Sequence, residues 1–167
     1  KIFLGFSDIT SLHIFFNQHW HWQTFHGPCA RQTAANEIDE ESINAVKNLF
    51  LGKIDNKYDS KITGGNLAVI CHSLGTPSQI KTENKILLLE DINEEAYKIR
   101  RMLTQLTQAD IFKNIKSLLL GEFIHKNPKE RILIENELQL FSEQQGFPVV
   151  RTNAIGHGNK NTVVPLS

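Results

Sequence analysis

The chain has 167 residues, 40% of them hydrophobic, enough for one domain with a real core or for parts of two. Eighteen Lys and Arg balance eighteen Asp and Glu, and no segment gathers a basic face, which argues against nucleic acid as a partner. The two cysteines, Cys29 and Cys71, form no C-x-x-C pair, so a disulfide framework or zinc knuckle is not expected and a reducing compartment is.

The elements follow in chain order. Residues 1–6 read as a buried strand and 9–19 as a helix, with Ile9, Leu12, His13 and Phe16 as its apolar side. Residues 20–28 read as a loop rich in aromatics and histidine. Asn36 is placed to cap a helix through Ile43, Val46, Leu49 and Phe50 that closes at Gly52. A short strand, Lys61-Ile62-Thr63, precedes Gly64-Gly65. Asn66 then caps a helix with Leu67, Ile70, Cys71 and Leu74 on one side, stopped by Gly75 and Pro77. Lys85–Leu89 is a buried strand ending at Glu90-Asp91. Residues 94–106 form a helix with Ile99, Met102, Leu103 and Leu106 inward and Glu94 and Lys98 as a surface pair. Strand 116–120, helix 128–145 (Ile132, Leu133, Leu138 and Phe141 inward) and strand 148–152 follow. A glycine-rich loop, 153–161, comes before Val163-Val164. Strands alternating with helices imply an α/β domain with substantial parallel pairing. No apolar run is long enough for a membrane span, so no membrane partner is expected. With no signal peptide and a first residue, Lys1, in mid-strand, the chain reads as a piece of a longer protein, and a removed export signal stays open.

Reactive groups in such folds gather at the carboxyl ends of strands. Ser7 follows the first strand on a tight turn into a helix, with Gly5 two residues earlier; the second glycine of G-x-S-x-G is absent. Glu90 ends the strand 85–89, and His157 lies between Gly156 and Gly158 after the strand 148–152. The order Ser, Glu, His is one known for a nucleophile, its orienting acid and its base. Each has a plainer reading: Ser7 or Asp8 as a helix cap, Glu90 as a strand-end carboxylate capping the next helix, His157 as a loop residue. His19, His21 and His26 offer a metal set, but no nearby carboxylate or cysteine completes it, so no metal is expected.

These residues, taken with their surroundings, resemble the LD-carboxypeptidase family of serine peptidases, which includes murein-recycling carboxypeptidases and microcin C immunity peptidases. The resemblance is carried by Gly5-Phe6-Ser7-Asp8-Ile9-Thr10, His26-Gly27-Pro28, Gly64-Gly65-Asn66-Leu67 and Leu74-Gly75-Thr76-Pro77. It continues through Ile86-Leu87-Leu88-Leu89-Glu90-Asp91, Tyr97 to Leu103, Gly156-His157-Gly158, Asn161 and Pro165-Leu166. It implies Ser7 as nucleophile, His157 as general base and acid, Glu90 as the residue orienting His157, and the Asp8 N–H as one oxyanion donor. It also implies no cofactor, a murein tetrapeptide substrate, a cytoplasmic location and a homodimer for the full-length protein. Arg31, near His26-Gly27-Pro28, is the cation available for a substrate carboxylate.

The fold the resemblance implies has two parts. Residues 1–36 would be the remnant of an amino-terminal α/β domain carrying the nucleophile turn. Residues 37–167 would be a swivelling β/β/α-type carboxyl-terminal domain carrying Glu90 and His157. Arg100 departs from the family's usual Asp and Ser167 from a common Gly. The main function expected is release of a terminal D-amino acid from a murein tetrapeptide. The alternatives are cleavage of a peptidyl-nucleotide antibiotic, with Trp20 and Trp22 stacking on a base, and an inactive fragment or non-catalytic homologue. The chain by itself is expected to be inactive or nearly so.

Overall fold

A computed structural model describes residues 1–54 and 60–167. Four parallel strands form the main sheet, in the order β3 (Ile62–Asn66), β4 (Ile86–Ile92), β5 (Ser117–Ile124) and β6 (Val149–Arg151). Parallel neighbours need crossovers, and the chain supplies α4 (Leu67–His72), α5 (Ala96–Gln108) and α6 (Pro128–Glu143) between them. The leucine runs of β4 and β5 are continuous because both faces of the sheet are covered. Leu87, Leu89, Leu118 and Leu120 face the helices, against Ile70, Ile99, Leu103, Leu106 and Leu138. Leu88 and Leu119 face the other way, against Ile155, Val164 and Leu166.

A second sheet, β1 (Leu4–Gly5), β2 (Thr24–His26) and β7 (Val164–Leu166), has β1 and β2 parallel and β2 and β7 antiparallel. It joins the first where the Ser167 N–H donates to the Ile62 carbonyl at 2.8 Å. The remaining helices are α1 (Thr10–His19), α2 (Ala30–Ala34) and α3 (Glu40–Phe50). Among the described residues no helix is long and apolar enough to cross a membrane.

The structure corrects four local expectations. The supposed loop 20–28 contains β2, all three of whose residues are buried. Asp39, not Asn36, caps α3, its carboxylate accepting the Ser42 N–H at 2.8 Å, while Asn36 sits at φ 52°. In α6 three apolar residues in succession cannot share one helix face; Ile134 and Leu138 are buried, and Ile132 and Leu133 are exposed. In α1 the buried side is largely polar, Thr10, His13, Ile14 and Asn17, and Leu12 is exposed.

Candidate active site

The first strand ends early, and Ser7 opens a 3-10 turn, Ser7–Ile9, that runs into α1. Phe6 is extended, whereas Ser7 has φ 66°, a left-handed conformation that costs a non-glycine residue energy and recurs at functional turns. Two buried contacts brace this turn. His13 Nε2 donates to the Gly5 carbonyl at 3.0 Å, and Nδ1 lies 2.8 Å from Thr24 Oγ1. Since a carbonyl only accepts, Nε2 carries a proton, and burial pushes the ring's pKa down to about 4, which keeps it neutral near pH 7. Thr10 Oγ1 accepts the Asn66 N–H at 3.0 Å. That approach needs glycine: a Cβ on Gly65 would lie 2.5 Å from Thr10 Oγ1, and one on Gly64 would strike the Leu88 carbonyl oxygen at 2.1 Å. Both glycines take positive φ.

Glu90 does not end its strand; it lies inside β4 with no exposed surface. Beside it the ladder with β5 is irregular. Leu89 pairs with Leu120 but Asp91 with Phe123, so Glu90 alone faces Gly121 and Glu122. Such a bulge re-aims side chains. A Cβ on Gly121 would lie 2.6 Å from the Ile155 carbonyl oxygen, so the bare backbone lets the loop of His157 close over the strand. That loop is tied down at several points. The Glu122 N–H donates to the Ile155 carbonyl at 2.8 Å, and the Glu122 carboxylate accepts the Gly158 N–H at 2.9 Å. On its far side Asp39 N donates to the Asn159 carbonyl at 2.7 Å and Asn161 N to Ser42 Oγ at 2.9 Å.

The outcome is that Glu90 Oε2 lies 3.5 Å from His157 Nε2. The separation suits an ion pair and is too long for a good hydrogen bond. Burial lowers the His157 pKa, Glu90 raises it, and His26 lowers it again. A ring of this kind is neutral near pH 7 and free to accept a proton. The Phe6 ring, next to Ser7, packs on the His157 ring with centroids 4.6 Å apart.

Comparison with known proteins covers almost all of this. The family model for the LD-carboxypeptidase C-terminal domain matches residues 59–167, and that for the N-terminal domain matches residues 1–27. The chain belongs to the LD-carboxypeptidase family. A Rickettsia conorii protein named a carboxypeptidase is 34% identical over 178 residues, 96% of this chain and 55% of its own. The murein tetrapeptide carboxypeptidase of Pseudomonas aeruginosa is 27% identical over 97% of this chain and 59% of its own. The crystal structure of the muramoyltetrapeptide carboxypeptidase of Oxalobacter formigenes superposes with a TM-score of 0.85 at 27% identity, covering all of this chain and 63% of that one. The microcin C7 self immunity protein MccF shares the fold at 18% identity, with a TM-score of 0.80 over all of this chain and 63% of its own. The chain thus spans a little over half the length of the curated relatives it matches.

Within this LD-carboxypeptidase chain, the expected site residues are not all in one place. Glu90 and His157 face each other, and Phe6, the residue before Ser7, packs on the His157 ring. Asp8 lies in the first turn after Ser7, where N–H groups lack intrahelical partners. Arg31 is on α2, largely exposed, with Nη1 2.6 Å from Glu37 Oε1. The three histidines separate: His19 closes α1 against the Phe15 ring, His21 is exposed at φ 54°, and His26 is buried in β2. His26 Nε2 lies 3.9 Å from Glu90 Oε1, a proximity that sequence reasoning missed. The signal lay in the His26-Gly27-Pro28 motif, which carried the resemblance without a role. Asp91, not Glu90, serves the neighbouring helix, accepting the Ala68 N–H at 2.9 Å; burial pushes its carboxyl up to about 6.

Proposed function

We propose that the protein is a serine hydrolase that releases the terminal D-amino acid from a murein tetrapeptide, with Ser7, His157 and Glu90 as its triad. The observation that carries this reading is Glu90 Oε2 facing His157 Nε2 at 3.5 Å, with the ring of Phe6, the residue before Ser7, packed on that histidine. Nε2 faces the carboxylate, which leaves Nδ1 to serve the serine. Ser7 Oγ attacks the carbonyl of the last peptide bond and its proton passes to Nδ1, while Glu90 stabilises the imidazolium. The tetrahedral oxyanion is held by the Asp8 N–H and a second donor from the amino-terminal domain. Collapse breaks the C–N bond, and His157 returns the proton to the departing amine. Water then attacks the acyl-serine with His157 as base and restores the hydroxyl.

In this reading the chain is the carboxyl-terminal part of a longer, dimeric, cytoplasmic enzyme. Residues 1–36 belong with the amino-terminal domain, and 37–167 form the swivelling domain. Arg31 is the cation for the terminal carboxylate, exchanging Glu37 for substrate.

In the second reading, a peptidyl-nucleotide substrate, Trp20 and Trp22 stack on a base. Trp20 instead stacks on Phe16, with centroids 4.9 Å apart, and lies beyond the far end of α1 from Ser7. At 1.5 Å per residue that helix separates them by about 15 Å. The murein reading is therefore preferred.

The test uses full-length protein and three substrates: a tetrapeptide ending L-to-D, its all-L analogue and its carboxamide. Only the first is expected to turn over well, since the amide lacks the charge that Arg31 pairs with and an L-residue places its side chain against the pocket wall. Ser7→Ala should lower kcat by several orders of magnitude with folding intact, and adding His157→Ala should cost little more. Equal rates on all three substrates, or preference for a peptidyl-nucleotide, would overturn the murein assignment.

A further inference from the structure

We propose that His26 is a second positioning residue of this site, holding one oxygen of Glu90 while His157 faces the other, so that two imidazoles share one carboxylate. The inference rests on the serine-hydrolase reading above. Glu90 Oε1 is 3.9 Å from His26 Nε2 and Oε2 is 3.5 Å from His157 Nε2. His26 and Glu90 are both wholly buried. Neither nitrogen of His26 has a hydrogen-bond partner among the described residues, and neither carboxylate oxygen of Glu90 has one.

Packing alone does not account for a histidine there. Each unmet buried polar group destabilises the fold, and an apolar ring would fill the same space without that cost. Thr24, two residues earlier on the same strand, shows the ordinary solution, with His13 and Asn17 both bonded to its hydroxyl. His26 is also placed by strand pairing and not by a loop. It lies opposite Gly5 in the parallel ladder of β1 and β2, two residues before Ser7, and the next N–H, of Gly27, donates to the Gly5 carbonyl at 3.0 Å. Phe6 fills the angle between the rings, 5.9 Å from His26 and 4.6 Å from His157. The strand that leads to the serine thus fixes the ring behind the carboxylate.

The effect is both steric and electrostatic. With a ring at each oxygen the carboxylate is confined, and the orientation it gives His157 is settled before substrate arrives. The ionisable groups around it are His26 from β2, His157 from the loop 153–161, Glu122 from β5 and Asp91 on β4, with His13 of α1 behind His26. Across the site Glu90 favours the protonated His157 ring and His26 disfavours it. Without His26 the carboxylate acts on His157 alone, and His157 keeps its proton to higher pH.

The experiment compares wild type, His26→Phe and His26→Gln as full-length proteins, with thermal unfolding as the check on folding. It reads kcat and KM on the L-to-D tetrapeptide against pH, and the His157 ring titration by nitrogen NMR. His26→Phe keeps the ring volume; kcat should fall about a hundredfold, as for a displacement near 1 Å, with KM little changed. The acidic limb of kcat/KM and the NMR titration should both move to higher pH. His26→Gln, whose amide N–H can donate to Glu90, should recover much of kcat and keep the shifted titration. A folded His26→Phe with wild-type kcat and an unmoved titration would overturn the proposal. Should that variant not fold, an unmoved titration in His26→Gln would overturn it equally. The NMR arm needs no turnover. A wild type that cleaves no tetrapeptide, with a His157 titration that moves in the variants, would uphold His26 and sink the murein reading alone.

Discussion

His13 shows what a single buried ring costs a fold. The unfolded chain protonates it near the ordinary 6.5, the folded chain only near 4. Its folded pKa is depressed, so the unfolded state binds the extra proton between those values and stability falls as pH drops through that window. The loss at its full extent is roughly 3 kcal/mol. Asp91 works in the opposite sense. Its carboxyl is raised from 3.8 to about 6, so the folded state binds that proton first and gains stability as pH falls over the same range. A raw stability curve would hide both, and the informative measurement is the difference between wild type and His13→Gln by denaturant titration. The variant should be less stable near pH 7, where it loses the bonds to Gly5 and Thr24, and the gap should close or reverse towards pH 4. A gap constant with pH would mean that His13 is not held neutral.

At the scale of elements, the bulge of β5 opposite Glu90 is where the sheet becomes a site. Gly121→Ala puts a methyl 2.6 Å from the Ile155 carbonyl oxygen and 3.1 Å from Glu90 Cβ, and backbone cannot yield as a side-chain tip can. Overpacking of this kind costs about 1–3 kcal/mol. The loop of His157 should move away from Glu90, with a kcat loss on the order of a hundredfold. Thermal unfolding and steady-state kinetics on one preparation check both figures; an unchanged kcat would show that the loop is not positioned there. Such a bulge leaves no pattern in sequence, because Gly121 and Glu122 read as two more strand residues. The leucine runs of β4 and β5 and the 3.6-residue period of α5 were legible, since burial on one or both faces writes itself into residue type. The facing of Glu90 and His157 was legible from their order along the chain, although Glu90 lies inside β4 and not, as expected, after the strand. β2 was not. Thr24-Phe25-His26 owes its burial to strands at residues 4–5 and 164–166, and nothing local marks a histidine as core.

For the whole molecule, Ser7 follows a strand of one sheet and Glu90 lies within a strand of the other, so the proposed site depends on distant parts of the chain being in register. Phe50 and Leu51 at the end of α3 and Trp22 before β2 are exposed. Lys1, Ile2, Trp22, Phe25 and Phe50 border a cavity of about 690 Å³ beside the first strand. If an amino-terminal domain supplies the second oxyanion donor, the 167-residue chain alone should turn over a hundredfold or more slowly than the protein that carries the domain. Parallel assays of the two on the L-to-D tetrapeptide decide this, and comparable rates would mean that the donor lies within this chain.

The pairing of β2 with β7 also sets a timetable. Asn17 reaches across to the Leu166 carbonyl, a partner 149 residues further along, and among the described residues β2 pairs with β7 and the two-residue β1. Chains emerge from the ribosome amino end first, at about 5–20 residues per second. The parallel sheet with its three crossover helices can form while the strand bearing His26 still lacks its neighbour, and contacts so distant in sequence form slowly. The serine turn is therefore framed only once Val164–Leu166 has been made, roughly 8–30 seconds after its own synthesis. Stalled chains ending before Val164 should show weak hydrogen-exchange protection at Phe25 and Gly27 while the leucines of β4 are already protected.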